Sequence, residues 1–224
     1  MGDNGTGAVP IRDAATVVVV RRDGDQIRVL MGQRGAGAVF MPDKFVFPGG
    51  AVDPGDLALA TSLDPDNEPT LARALPLAAI RELWEETGLM LGAPDVSAVP
   101  DAAEVPEGWR GFFAAGLGPR PADLRLFFRA VTPPGRPRRF DARFYLAEAG
   151  DLFNPVDDFG GASGELLYLS WLDLAAARKL ALPFITEVVL SELEAIFEAP
   201  HDAARPIPFF DHDADGSHFR LLAP

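Results

Sequence analysis

The sequence predicts an α/β (α+β) sandwich, and three observations carry that prediction. Short β-branched apolar runs alternate along the chain with helix-forming runs, the pattern of strands and helices interleaved in one fold. The 224 residues are 48% hydrophobic and 24% charged, ordinary globular usage and enough apolar surface for one full core. No repeat at solenoid spacing and no apolar run of membrane-spanning length offers a competing architecture.

The elements follow in order. Residues 1–14 are rich in Gly, Asn and Asp and read as a flexible N-terminus. Ala15–Arg21 and Ile27–Gln33 are apolar strands separated by Arg22-Asp23-Gly24-Asp25, a hairpin signal. A Gly-rich loop leads to Lys44-Phe45-Val46-Phe47, a strand stopped at Pro48-Gly49-Gly50, where a tight backbone turn needs glycine. Residues 57–73, which contain Asp64-Pro65-Asp66-Asn67-Glu68-Pro69, read as an inserted surface loop. Leu77–Thr87 is a strong helix with Gly88 as its stop. After a loop-rich stretch to Pro121, Leu124–Val131 and Arg143–Leu146 are strands around Pro133-Pro134-Gly135-Arg136-Pro137, and Tyr168–Leu172 is a further strand. Leu174–Leu180 and Ile185–Glu198 have helical spacing, with Val189, Leu193, Ile196 and Phe197 on one side as core. One domain over 15–200 and a C-terminal extension over 201–224 account for the chain.

A formal net charge of −13 argues against nucleic acid and anionic membrane as partners, since both would repel the chain. Cysteine is absent, which excludes disulfides, thiolate metal sites and a cysteine nucleophile and suits a cytoplasmic setting. The start has no secretory signal. Met1-Gly2 with Thr6 fits a myristoylation pattern and Asn4-Gly5-Thr6 a glycosylation pattern, and both read as a frayed end. Asp211-His212-Asp213-Ala214-Asp215-Gly216 matches half of a calcium-binding loop, but Leu222 stands where the bidentate Glu is needed, so it reads as a polar turn.

The most informative stretch is Arg81-Glu82-Leu83-Trp84-Glu85-Glu86-Thr87-Gly88-Leu89. At helical spacing Glu82, Glu85 and Glu86 share one face, where like charges repel by about 0.2–0.5 kcal/mol per pair. A solvated charged face is one reading, with Arg81 neutralising part of it. The other is a site for a hard divalent cation, Mg²⁺ or Mn²⁺, which carboxylates share with substrate phosphates. Leu83 and Leu89 fix the helix rotation against a core, and the glycine turn lies upstream, which favours the second.

These residues resemble the signature of the Nudix hydrolase family, G-x5-E-x7-R-E-U-x-E-E-x-G-U with U aliphatic. Gly50 takes the first glycine, Asp56 stands where the family has Glu, and Arg81 to Leu89 match every fixed position of the second half. The two halves are 24 residues apart instead of seven, an insertion of 17. The resemblance implies an α/β/α sandwich with a mixed central sheet. It implies Glu82, Glu85 and Glu86 as metal ligands, Arg81 as their orienting partner, a site-shaping turn at Gly49-Gly50, and attack of water on a diphosphate joined to another moiety. The base that removes the water's proton is Glu85, Glu86 or a loop acid, Glu165 first among the latter. A small-molecule diphosphate is the expected partner, and a homodimer is compatible with the sequence.

The split box after Phe47-Pro48-Gly49-Gly50 is similar to the branch of peroxisomal coenzyme A diphosphatases. So is Pro133-Pro134 followed by Arg138-Arg139-Phe140-Asp141-Ala142-Arg143-Phe144. A second coenzyme A signature matches at Leu30, Arg34 and Phe47–Gly50 and departs at Met31, Gly32, Gly35, Val39 and Asp43. The resemblance therefore implies coenzyme A or acyl-coenzyme A as substrate, with NADH, ADP-ribose or other nucleotides as the alternative. A nucleotide-sensing module without catalysis is the rival from another class. Arg34, Arg129 and Arg139 are candidates to hold phosphate, because a planar guanidinium pairs with it bidentately. The chain closes Leu222-Ala223-Pro224 rather than with a peroxisomal tripeptide.

Overall fold

Four consecutive valines set the centre of the molecule. In a strand, neighbouring side chains point to opposite faces, and Val17 and Val19 enter one core while Val18 and Val20 enter another, all four without exposure. A strand buried on both faces needs a layer on each side, and the chain supplies one. The computed structural model describes residues 9–24, 26–64, 66–68, 70–94, 105–199, 205–213 and 216–223.

The strands are β1 (Ile11–Asp23), β2 (Gln26–Arg34), β3 (Phe45–Val46), β4 (Gly49–Ala51), β5 (Gly92–Pro94), β6 (Leu117–Pro119), β7 (Arg125–Val131), β8 (Arg139–Glu148), β9 (Leu166–Asp173), β10 (Ile207–Asp213) and β11 (Gly216–Leu222). The helices are α1 (Pro54–Ser62), α2 (Leu71–Thr87), α3 (Arg110–Ala114), α4 (Leu174–Ala177) and α5 (Phe184–Glu198). Among the described residues nine strands form one mixed sheet, in the order β11-β10-β7-β8-β1-β2-β3, with β4 also paired to β1 and β9 to β2. The β1–β8 and β10–β7 pairs are parallel and the others antiparallel. Core residues of α1, α2 and α3 pack on one face, and Val189, Leu190 and Leu193 of α5 on the other. This is the expected sandwich of a mixed sheet between helices.

The reading of 57–73 as a surface loop is corrected at both ends. Residues 54–62 are helical because Asp53 caps the helix, accepting from Gly55 N–H, while Asp56 accepts from Asp53 N–H, and Pro54 sits where its missing N–H costs nothing. Leu59 and Ala60 of α1 are buried. The second helix starts at Leu71, not Leu77. Pro76 has no N–H for the preceding turn, and that turn is held instead by Arg73, whose guanidinium donates to the carbonyls of Ala60 (2.6 Å), Asn67 (3.1 Å) and Glu68 (3.2 Å). Tolerance of deletion therefore belongs to the connection between the helices alone.

Other boundaries shift as well. Residues 11–14, read as flexible, begin β1, and β8 is longer than Arg143–Leu146 because it runs parallel to β1 from Ile11↔Arg139 to Val20↔Glu148. The stretch before Pro121 contains β5, α3 and β6, while residues 95–104 lie outside the described residues. Of the expected helix Leu174–Leu180, only Leu174–Ala177 is helical. Within 201–224, read as an extension, β10 and β11 form a hairpin that joins the main sheet through β7. Residues 214 and 215 of the expected polar turn, and the N-terminal modification patterns, lie outside the described residues. Among the described residues no helix is long and apolar enough to cross a membrane.

Candidate active site

The helix α2 lies over β1 and β4 and carries the carboxylate row. Its rotation is fixed by Ile80 and Leu83, which are fully buried, as is Leu89 just beyond its end. Its end is fixed by Gly88, whose φ of 77° is left-handed and whose N–H donates to Trp84 O. Asn154 clamps that end by accepting from Met90 N–H and donating to Gly88 O.

Arg81 spends every N–H it has. Nε donates to Asp56 Oδ1 (2.9 Å), Nη1 to Glu82 Oε1 (2.9 Å) and Glu85 Oε2 (2.8 Å), and Nη2 to Asp56 Oδ2 (3.0 Å) and Ala51 O (3.0 Å). These five bonds exhaust the guanidinium donors. Burial opposes its charge, but Asp56, Glu82 and Glu85 more than offset this and hold its pKa above the usual value. The Asp56 carboxylate is equally saturated, because Oδ1 also accepts from Trp109 Nε1 (3.0 Å) and Oδ2 from Asp53 N–H (2.9 Å). Asp56 fills the first acidic position of the signature, yet it lies fully buried behind Arg81. It anchors the arginine that in turn orients Glu82 and Glu85.

Glu86 is in a different state. It is buried, its Oε2 accepts from Gly49 N–H (2.8 Å), and its Oε1 is buried with no hydrogen-bond partner. Burial, and next the Glu82 charge, push its carboxyl well above the usual range. Burial likewise lifts Glu82, up to about 7, against the pull of Arg81. It also raises the half-exposed Glu85. An orphaned acceptor among acids that resist ionisation is a place where a cation fits, since positive charge would satisfy the oxygen and restore ionisation. No three acidic or histidine groups among the described residues already converge as a cation cage. Glu82 and Glu85 each have one oxygen turned to Arg81.

The glycine turn meets these acids directly. A Cβ on Gly50 would fall inside the Glu82 carboxylate, whereas one on Gly49 would meet backbone, 2.6 Å from Ala15 O and 2.7 Å from Thr16 Cα. The two glycines should therefore fail differently. Gly49→Ala is expected to cost about 1–3 kcal/mol of stability by forcing β4 off β1. Gly50→Ala moves only the end of a flexible side chain, so it should cost less than about 1 kcal/mol but lower kcat/KM roughly 10²-fold by misplacing Glu82. Denaturant unfolding and steady-state rates on both variants check this contrast.

Gly49, Gly50, Glu82, Arg34 and Glu165 line one cleft of about 1260 Å³. Arg34 Nη2 donates to Glu165 (2.9 Å), and Arg34 Nε is buried without a partner. Thus the structure brings together the expected Arg34, Gly49, Gly50, Arg81, Glu82, Glu85 and Glu86, with Glu165 facing them. It does not bring Arg129 or Arg139 to the cleft. Arg129 is paired twice to Asp141 and stacked 4.5 Å over Phe209, and Arg139 Nε donates to Thr132 O. Sequence reading missed Trp109 as a ligand of Asp56, and it missed Arg12, Phe184, Phe210 and His212 as cleft residues. Only the acidic run around His212 gave a signal, and it pointed to a calcium loop.

No protein-family model matches the chain. The chain is 30% identical over 187 residues to a Caenorhabditis elegans protein provisionally named nudix hydrolase 7, across 77% of this chain. It spans 57% of the length of that relative. The crystal structure of a NUDIX hydrolase from Alicyclobacillus acidocaldarius is similar, with a TM-score of 0.62 and 30% identity over 85% of this chain and 97% of that one.

Proposed function

The chain belongs to the Nudix hydrolase family, and from that premise we propose that it is a divalent-metal-dependent pyrophosphohydrolase that cuts the diphosphate of a nucleoside diphosphate derivative. The observation that carries the reading is a pair of complementary orphans. Glu86 Oε1 is a buried acceptor lacking a donor, and Arg34 Nε is a buried donor lacking an acceptor. The first calls for a cation and the second for an anion. A divalent cation held by the carboxylates would satisfy the first, and a substrate phosphate would satisfy the second.

Glu82, Glu85 and Glu86 would hold Mg²⁺ or Mn²⁺, which when bound neutralises phosphate charge and lowers the pKa of water. The chain's own groups do the rest. The Gly49 N–H fixes Glu86, Arg81 on its Asp56 anchor fixes Glu82 and Glu85, and Arg34 orients the phosphate. Glu165, beside Arg34 at the cleft wall, accepts the proton from the attacking water at a carboxylate oxygen, and that water displaces the other phosphate in line. With a cation held by these acids, the site would also offset locally the net charge of −13 that repels such a substrate.

For the substrate we propose coenzyme A or an acyl-coenzyme A, cut to adenosine 3′,5′-bisphosphate and a 4′-phosphopantetheine product. The split box, the Arg138–Phe144 segment and a cleft above the ~300–1,000 Å³ of drug-sized sites support it. A mass-spectrometric screen with Mg²⁺ and Mn²⁺ over coenzyme A, acyl-coenzyme A, NADH, ADP-ribose, dinucleoside polyphosphates and nucleoside triphosphates tests it. Preferred cleavage of coenzyme A compounds is the expected result. Preference for NADH or ADP-ribose overturns the substrate, and no cleavage of any diphosphate replaces the enzyme with a nucleotide sensor.

A further inference from the structure

The cleft extends well past the carboxylate helix, and its far wall is built by the C-terminal hairpin, which the signature does not include. The parallel pairing of β10 to β7 sets Phe210 beside Ala130, and the β10–β11 register sets His212 opposite Ser217. Phe210, His212 and Ser217, with Phe184 from the start of α5, line the same cleft as Glu82 and Gly50. The Phe184 and Phe210 rings stand 5.9 Å apart at 54°, and His212 meets Phe210 edge-on at 4.7 Å. Ser217 Oγ lies 2.9 Å from His212 Nδ1. Phe184 is 66% exposed, so a large ring face is left to solvent inside a substrate cleft. Arg136 and Arg138, from the connection of β7 and β8, line the cleft too.

We propose that this hairpin is a ring-binding subsite: Phe184 and Phe210 take the face of the substrate's nucleobase, the His212–Ser217 pair takes its polar edge, and Arg136 and Arg138 take the phosphate nearest to it. The proposal rests on the hydrolase reading only for the continuity of the cleft with the site of cleavage. Every base has a π-face for an aromatic wall, and arginines match phosphate geometry. An acyl chain would use the same apolar wall but offers no polar edge to the imidazole and hydroxyl of the His212–Ser217 pair. The hairpin thus reads the nucleotide half of the substrate and leaves the other half to the opposite side of the scissile diphosphate.

Calorimetric titration of the full chain with adenosine 3′,5′-bisphosphate, in chelator so that no turnover is needed, tests the proposal. The expected result is binding that weakens about tenfold or more in Phe184→Ala and also falls in His212→Ala, with KM rising more than kcat falls for any diphosphate that is cut. If Phe184→Ala loses its thermal transition, His212→Ala decides. Failure of the wild type to bind, or unchanged affinity in both folded variants, overturns the subsite. So does loss of affinity for S-hexanoyl-4′-phosphopantetheine in place of the bisphosphate. Cleavage of diphosphates with unchanged nucleotide affinity sinks the subsite alone, and nucleotide binding that the variants lose, without any cleavage, sinks the hydrolase alone.

Discussion

Glu86→Gln is expected to lower kcat by roughly 10³-fold, about 4 kcal/mol in the barrier, while the protein unfolds at the same temperature as the wild type in chelator. The two halves of this expectation have one cause. Glu86 is buried with one oxygen on Gly49 N–H and the other unpartnered, and burial holds its carboxyl well above the ordinary range. In the metal-free protein the side chain therefore tends to the neutral form, and glutamine has nearly the same volume and keeps an oxygen for Gly49. What the amide cannot supply is a negative oxygen for a cation. Glu85→Gln should act in the same direction, because its carboxylate shares Arg81 with Glu82. Initial rates with Mg²⁺ and Mn²⁺, alongside thermal unfolding in chelator, separate this from a structural role: wild-type turnover in both variants would overturn it.

Asp56→Ala is expected to be the most damaging single change to the fold, at about 3–5 kcal/mol. Asp56 is fully buried and accepts from Arg81, Trp109 and Asp53. Without it Arg81 keeps its charge in a site only 7% exposed, Trp109 Nε1 loses its partner, and Asp53 N–H loses its acceptor, half of the capping box of α1. For a chain of this size the cost corresponds to a fall of roughly 6–20 °C in Tm. Activity should fall with it, because Arg81 is what orients Glu82 and Glu85. Thermal and urea unfolding check the magnitude, and a drop of less than about 1 kcal/mol would mean that Arg81 finds another anchor.

The same residue shows where sequence reading stops. The α2 carboxylates were legible because helical spacing and the apolar Leu83 and Leu89 fix which face they share. The four valines of β1 were legible as strand because nothing else suits such a run. Asp56 could be placed in the signature but not given a role, since its ligands Arg81 and Trp109 are 25 and 53 residues away. The helix α1 hid behind Asp53-Pro54-Gly55, three residues typical of turns that serve here as cap and first turn. The β10–β11 hairpin hid behind Pro208 and an acidic run, and its place beside β7 comes from a parallel pairing that no local pattern encodes. Arg129 and Arg139 show the converse, for guanidinium chemistry suits phosphate equally well wherever it sits, and only the fold reveals that Asp141 pairs Arg129 twice and that Arg139 donates its Nε to Thr132 O.

Hydrolysis in H₂¹⁸O tests the central claim most directly. Purified protein is given its preferred diphosphate from the substrate screen, with Mg²⁺ or Mn²⁺ and then with excess chelator, and the products are weighed. The account predicts one ¹⁸O in a single phosphate product with metal present, none with chelator, and a rate restored when metal is returned. Full turnover in chelator would contradict it, because the reaction would then proceed with no cation at Glu82, Glu85 and Glu86, the acids that α2 and the Gly49-Gly50 turn hold together.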